Sequence, residues 1–152
     1  MNPDPSTFQT YTLTTANMNP VTNPPITFVQ GNATISGNQV GSGILVVTGT
    51  LTFSGDYVFN GLILVVGQGS AVYSGGGNGI VNGSLYVAKT RDTSGGLLST
   101  LAAPTLDYAG GGGNGVQYDH CKADTLLGNI AQTPPPPDPN PLTVISQRTI
   151  YK

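Results

Sequence analysis

Between Ile26 and Tyr118, short runs of alternating apolar and polar residues are punctuated by glycines at nearly fixed offsets. Gly31 to Gly37, Gly49 to Gly55 and Gly69 to Gly75 share one frame, two glycines enclosing five residues. The first two frames start 18 residues apart and the third 20 further on. Inside them Ala33/Ile35, Leu51/Phe53 and Ala71/Tyr73 alternate with Thr34, Thr52 and the exception Val72. Strand side chains alternate between two faces, so these pairs predict inward-pointing ladders. Each frame follows a β-rich run: Ile26 to Val29, Ile44 to Val47 and Leu62 to Val66. A strand-rich period of this length predicts a solenoid of stacked coils.

A fourth coil follows if an insertion is allowed. Thr105 to Gly115 mirrors Ser70 to Gly79, with a loop at Lys89 to Ala103 replacing the tight turn at Gly67 to Gly69. Leu106 and Tyr108 then extend the inward ladder, with Asp107 outside. Ser42-Gly43, Asn60-Gly61 and Asn82-Gly83 fall at matching corners, where small polar residues and glycine admit left-handed backbone. The expected fold is all-β: a short parallel β-solenoid (β-helix) of about four coils, with Pro-rich terminal arms and one short helix. Its divisions are a Pro-rich N-terminal arm at 1–25 with one possible strand at Tyr11 to Thr15, the solenoid at 26–118, and a helix, polyproline spacer and last strand at 119–152. Coils stacked ~4.8 Å apart make so short a body that its unpaired end strands become a large share of its surface, and such edges invite another chain.

The first run of each coil, ahead of the glycine frame, has a different pattern. If Val29, Leu45/Val47, Ile63/Val65 and Leu85/Val87 fill the interior, the outward set is Phe28, Ile44, Val46, Leu62, Leu64, Val66 and Tyr86. A strand apolar on both faces is ordinarily covered on both. The cover is the chain's own arms, a missing segment or another subunit, and an exposed patch of this size marks an interaction surface. After Tyr118, Leu126, Leu127 and Ile130 have helical spacing. Pro134 to Pro137, Pro139 and Pro141 enforce an extended spacer, and Leu142 to Tyr151 reads as a strand. Leu142, Val144 and Ile150 therefore join the candidate interaction residues.

Charge removes several classes of function. Only five basic residues and seven acids occur, every acid is Asp, and the net charge is −2. Without a basic patch there is no footprint for nucleic acid. No run is long enough to span a membrane, and no signal peptide opens the residues. The lone Cys121 makes no internal disulfide. Asp119-His120-Cys121 holds a base and a nucleophile, but sequence neighbours seldom aim at one another, as a dyad must. One His and one Cys do not build a zinc site. The glycine clusters at 75–79 and 110–115 lack the Lys-Ser/Thr of a phosphate loop. Asp56 and Asp107, the acids within the repeats, have no carboxylate partner of the kind glycosidases need. No catalytic residue, cofactor or metal is expected, and the chain is not expected to be an enzyme.

Gly43-Ile-Leu-Val-Val-Thr-Gly49, Phe59-Asn-Gly-Leu-Ile-Leu-Val-Val66, Val87 to Asp92 and Gly110 to Asp119 together resemble a bacterial family. The chain from Ile26 to Tyr151 is similar to the C-terminal β-solenoid region of PilX-type pilus-assembly proteins and related surface proteins. More loosely it resembles bactofilins, polymer-forming β-helices. The resemblance implies an extracellular or cell-surface location, association with filaments or with copies of itself, and no catalysis. The family's initial pilin-like helix has no counterpart in these residues. A second reading is a glycan-binding adhesin using the 89–103 loop with Tyr57 and Tyr86.

Overall fold

The computed structural model describes residues 8–20, 25–122 and 124–125. Two sheets face each other. One carries β1 (Thr10–Leu13), β3 (Asn32–Ser36), β5 (Thr50–Ser54), β7 (Ser70–Tyr73) and β10 (Thr105–Tyr108) in that order. The other carries β2 (Ile26–Val29), β4 (Gln39–Val47), β6 (Tyr57–Gly67), β8 (Ile80–Arg91) and β11 (Gly115–Tyr118). The chain crosses between sheets at every turn, so each strand pairs in parallel with the strand one coil away. This is the expected β-solenoid, of about three turns. The complete coils are β3–β4, β5–β6 and β7–β8. The fourth coil is represented by β10 and β11, aligned on Ser70–Tyr73 and Ile80–Gly83.

The long strands bend at glycine. Gly43, Gly61 and Gly83 stand in register, with φ of 99°, 143° and 140°. A side chain on Gly83 would run into the carbonyl oxygen of Gly61 directly below. Only glycine takes positive φ among the described residues, so Asn60 and Asn82 do not share the left-handed conformation expected for these corners. They serve on the outside: Asn82 Nδ2 donates to Asn60 Oδ1 at 3.2 Å, one coil below.

Inward positions line up as forecast. Ala33, Leu51 and Ala71 form one ladder, and Ile35, Phe53 and Tyr73 another, all at most 1% exposed. Leu45 and Ile63 stack on the opposite wall beside Val29, Val47 and Val65. Burying each of the Val, Leu, Ile and Phe side chains contributes about 1.5–3 kcal/mol. Phe53 stacks on Tyr73 at 4.7 Å between ring centroids, and Tyr73 on Tyr108 at 4.4 Å. Those spacings match the rise between parallel strands, so the rings form a column along the coil axis.

Large residues in one coil fill space left by small ones in the next. Phe59 lies against Gly41, and Tyr57 occupies the place where a Gly79 side chain would be. That packing leaves the hydroxyls of Tyr57 and Tyr73 buried without a hydrogen-bond partner.

The stretch expected as an N-terminal arm also contributes to the body. Leu13 of β1 and Met18 are 2% and 1% exposed and belong to the interior cluster. Met18 is fixed by its N–H to the Thr14 carbonyl and by the Ser42 N–H to its own carbonyl, both at 3.0 Å. The alternation of Tyr11 and Leu13 is enough to add a rung below Ala33 and Ile35, despite the prolines around it.

The insertion after the third coil is a hairpin where a loop was expected. β8 runs on to Arg91, and β9 (Leu97–Ala102) returns antiparallel, with Lys89 opposite Ala102. Asp92 builds the turn: its Oδ1 accepts from the Ser94 hydroxyl at 2.7 Å and from the Ser94 and Gly96 N–H groups at 2.9 and 2.8 Å. Those donors, the Ser94 hydroxyl first, hold the Asp92 carboxyl below the usual carboxylate range.

Candidate functional site

The two ends of the solenoid differ. At the β1–β2 end Leu13, Met18 and Val29 are 2%, 1% and 6% exposed, and only Tyr11, in register below Ala33, is open among the ladder residues, at 44%. At the β10–β11 end the corresponding residues are open. Leu106 and Tyr108 are 50% and 54% exposed, and Val116 and Tyr118 are 39% and 70%. All four sit in register over interior positions: Leu106 over Ala71, Tyr108 over Tyr73, Val116 over Val81 and Tyr118 over Gly83. The core therefore reaches solvent at this end, and the aromatic column finishes on the bare face of Tyr108.

The fold explains the exposure. Ladder residues are sealed by the rung above, and β10 and β11 have no further rung among the described residues. Leu106 and Tyr108 were expected inside; they stand in register with interior residues, but no coil covers them among the described residues. Sequence periodicity identified them as ladder residues and carried no signal for where the ladder stops.

The outer apolar face divides into three parts. Phe28 and Tyr86 are 62% and 59% exposed, Val46, Leu64 and Val66 are half-buried, and Ile44 and Leu62 are buried at 5% and 8%. Ile44 and Leu62 lie outside the interior cluster, so they are buried from the other side and present no free surface. Beside them helical residues 120–122 and 124–125 follow β11, and Lys122 reaches back to the wall. Lys122 Nζ donates to Asn60 Oδ1 at 2.8 Å, and Asp119, Cys121, Lys122 and Thr125 border a groove of about 530 Å³ with Pro25, Ser42, Gly43 and Asn60. The chain thus folds back across its own outer face at this corner. Leu142, Val144 and Ile150 lie outside the described residues.

The remaining candidates are structural in their contacts. The clusters at 75–79 and 110–115 are stacked corners tied by asparagine, with Asn114 Oδ1 accepting from the Gly79 N–H at 2.8 Å and Asn78 Oδ1 from the Gly113 N–H at 3.2 Å. Asp56 Oδ1 accepts from the Asn78 N–H at 2.6 Å. Contrary to expectation, His120 and Cys121 do meet, with Nε2 and Sγ 3.4 Å apart. Both are exposed, and the Asp119 carboxylate accepts from the Lys122 N–H at 3.3 Å. Tyr57 is 1% exposed, packed between Phe53 and Gly79, so it offers no ring to a glycan; Tyr86 does.

Among the described residues no group of three or more His, Cys, Asp or Glu gathers as a metal site would require, and no helix is long and apolar enough to cross a membrane. The class defined here is a short two-sheet parallel β-solenoid whose β10–β11 end exposes its ladder residues. No family model, curated protein or solved structure matches the chain.

Proposed function

We propose that the chain is a non-enzymatic structural subunit of an extracellular filament or pilus-associated surface assembly, joined to copies of itself through the open end of its solenoid. The observation that carries this reading is the open β10–β11 end, where Leu106, Tyr108, Val116 and Tyr118 are exposed in register over buried interior residues. An exposed run of interior residues on a sheet edge binds another chain readily, because both apolar burial and backbone hydrogen bonds are on offer. The likeness to PilX-type surface proteins and bactofilins supports a role in filaments. A surface built from Thr, Ser, Asn and Gly, with few charges, suits life outside the cell.

Analytical ultracentrifugation with negative-stain electron microscopy tests the proposal. The expected result is concentration-dependent polymer that Tyr108→Asp abolishes while the monomer stays folded by circular dichroism. A chain that remains monomeric at all concentrations overturns it.

A further inference from the structure

In the sheet of β1, β3, β5, β7 and β10, every strand turns alternate residues away from the core, and those residues are of one kind. Thr12, Thr34, Thr52 and Val72 stand in register along one rank, and Thr10, Asn32, Thr50, Ser70 and Thr105 along the next. Ser36 and Ser54 pair in a third. All are half-buried or exposed. The one charged residue on these ranks, Asp107, lies at the β10 edge.

Strand propensity favours β-branched residues and does not by itself call for hydroxyls. The second sheet fills its outward positions with Val46, Leu64 and Val66. Nor does the fold consume these hydroxyls. Among the described residues, the side-chain oxygens of Thr12, Thr34, Thr50, Thr52 and Ser70 make no hydrogen bond to protein, and no described strand lies over them. The face therefore addresses water alone.

We infer that this outer face binds ice. Rungs ~4.8 Å apart and alternate strand residues ~6.6 Å apart set out a rectangular lattice, and both repeats come close to oxygen spacings on the prism faces of hexagonal ice. Threonine is stiff at χ1, and the five stacked strands hold its hydroxyl and methyl in place before binding, which lowers the ordering cost. Val72, the exception in the sequence pattern, has the shape of threonine and keeps its methyl in the rank. The face carries no aromatic ring on which a sugar would stack and no row of charges to meet a mineral. The inference does not depend on self-association through β10 and β11, because it uses the side of the stack and not its end.

The test measures thermal hysteresis of the purified full-length chain by nanolitre osmometry, and its uptake into a slowly growing ice hemisphere. The chain should be drawn into the ice and leave faceted crystals that resist growth below the melting point. Thr34→Lys and Thr52→Lys each set a strongly hydrated ammonium in the middle of the face without touching the core. Each should lose both effects with its circular dichroism unchanged. Ser99→Lys, at an exposed position on β9, should keep them. Exclusion of the unmodified chain from ice, with rounded crystals and no hysteresis, overturns the inference. So does full activity in both threonine variants, loss in Ser99→Lys as well, or a chain that sediments with microcrystalline cellulose and is excluded from ice.

Discussion

Replacing Gly79 by alanine should cost far more than one methyl group ordinarily does. The new Cβ would fall 2.6 Å from Cζ of Tyr57 and closer still to Cδ1 and Cε1. A flexible side chain could retreat, but Tyr57 is 1% exposed and its ring is stacked on Phe53 at 5.0 Å, so moving it disrupts the packed interior. Ordinary overpacking costs about 1–3 kcal/mol. Evicting an aromatic ring costs about as much as deleting it, roughly 3–5 kcal/mol, so Gly79→Ala belongs at the upper figure. Gly76 is the control: nothing lies within 4 Å of an added Cβ and its φ is not positive, so Gly76→Ala should change stability by under about 1 kcal/mol.

The clash can be isolated by a double-mutant cycle. Tyr57→Val alone opens a cavity and costs about 2–4 kcal/mol, but it also clears the space that Gly79→Ala needs. The double variant should then be no less stable than Tyr57→Val, a coupling of at least about 2 kcal/mol. Urea unfolding followed by far-ultraviolet circular dichroism supplies the four values. Additive effects, or a well-tolerated Gly79→Ala, would refute the packing of Tyr57 beneath this corner.

The unpartnered hydroxyls of Tyr57 and Tyr73 make a prediction of unusual sign: Tyr57→Phe and Tyr73→Phe should each stabilise the fold, by about 1 kcal/mol, because a buried unsatisfied hydroxyl is removed and the ring stacking kept. Burial pushes both phenols far above their ordinary value of 10.0. Raised folded values mean that this stability is complete below about pH 10 and declines above it, as the unfolded chain ionises and the folded chain does not. Alkaline titration should show unfolding beginning there, and the Tyr57→Phe/Tyr73→Phe double variant should resist it. At Asp92 the folded value is lowered, so the hairpin's support is present at neutral pH and fades only as pH falls through a range below that of ordinary carboxylates. Amide exchange at Ser94 and Gly96 should quicken there, and Asp92→Asn should quicken it at every pH.

The glycine frames and their alternating ladders made the solenoid legible because a coil repeats both its corners and its apolar period. Phe53, Tyr73 and Leu51 were identifiable as interior residues for that reason alone. What periodicity does not encode is termination. Nothing in the pattern of Leu106 and Tyr108 separates a sealed rung from the last one, and the possible strand at Tyr11 to Thr15 carries no sign that it is the first rung of the stack. The hairpin at 89–102 was hidden because Leu97 and Leu101 face outward, giving an edge strand the look of a loop. Half of the outer face was legible: Phe28 and Tyr86 are free, but the burial of Ile44 and Leu62 depends on long-range folding that local spacing does not record. The meeting of His120 with Cys121 came from a helical turn whose strongest sequence signal lay further along, at Leu126 and Leu127.

The most direct measurement of the stacked-coil architecture is ring-to-ring magnetisation transfer by nuclear magnetic resonance, in solution or in assembled material, on chains with labelled Phe and Tyr. Phe53 and Tyr73 should show a strong contact, Tyr73 and Tyr108 another, and Phe53 and Tyr108, separated by a whole rung, none. Assigned rings with no Phe53–Tyr73 or Tyr73–Tyr108 contact would contradict the ladder, and with it the open end built on its last ring.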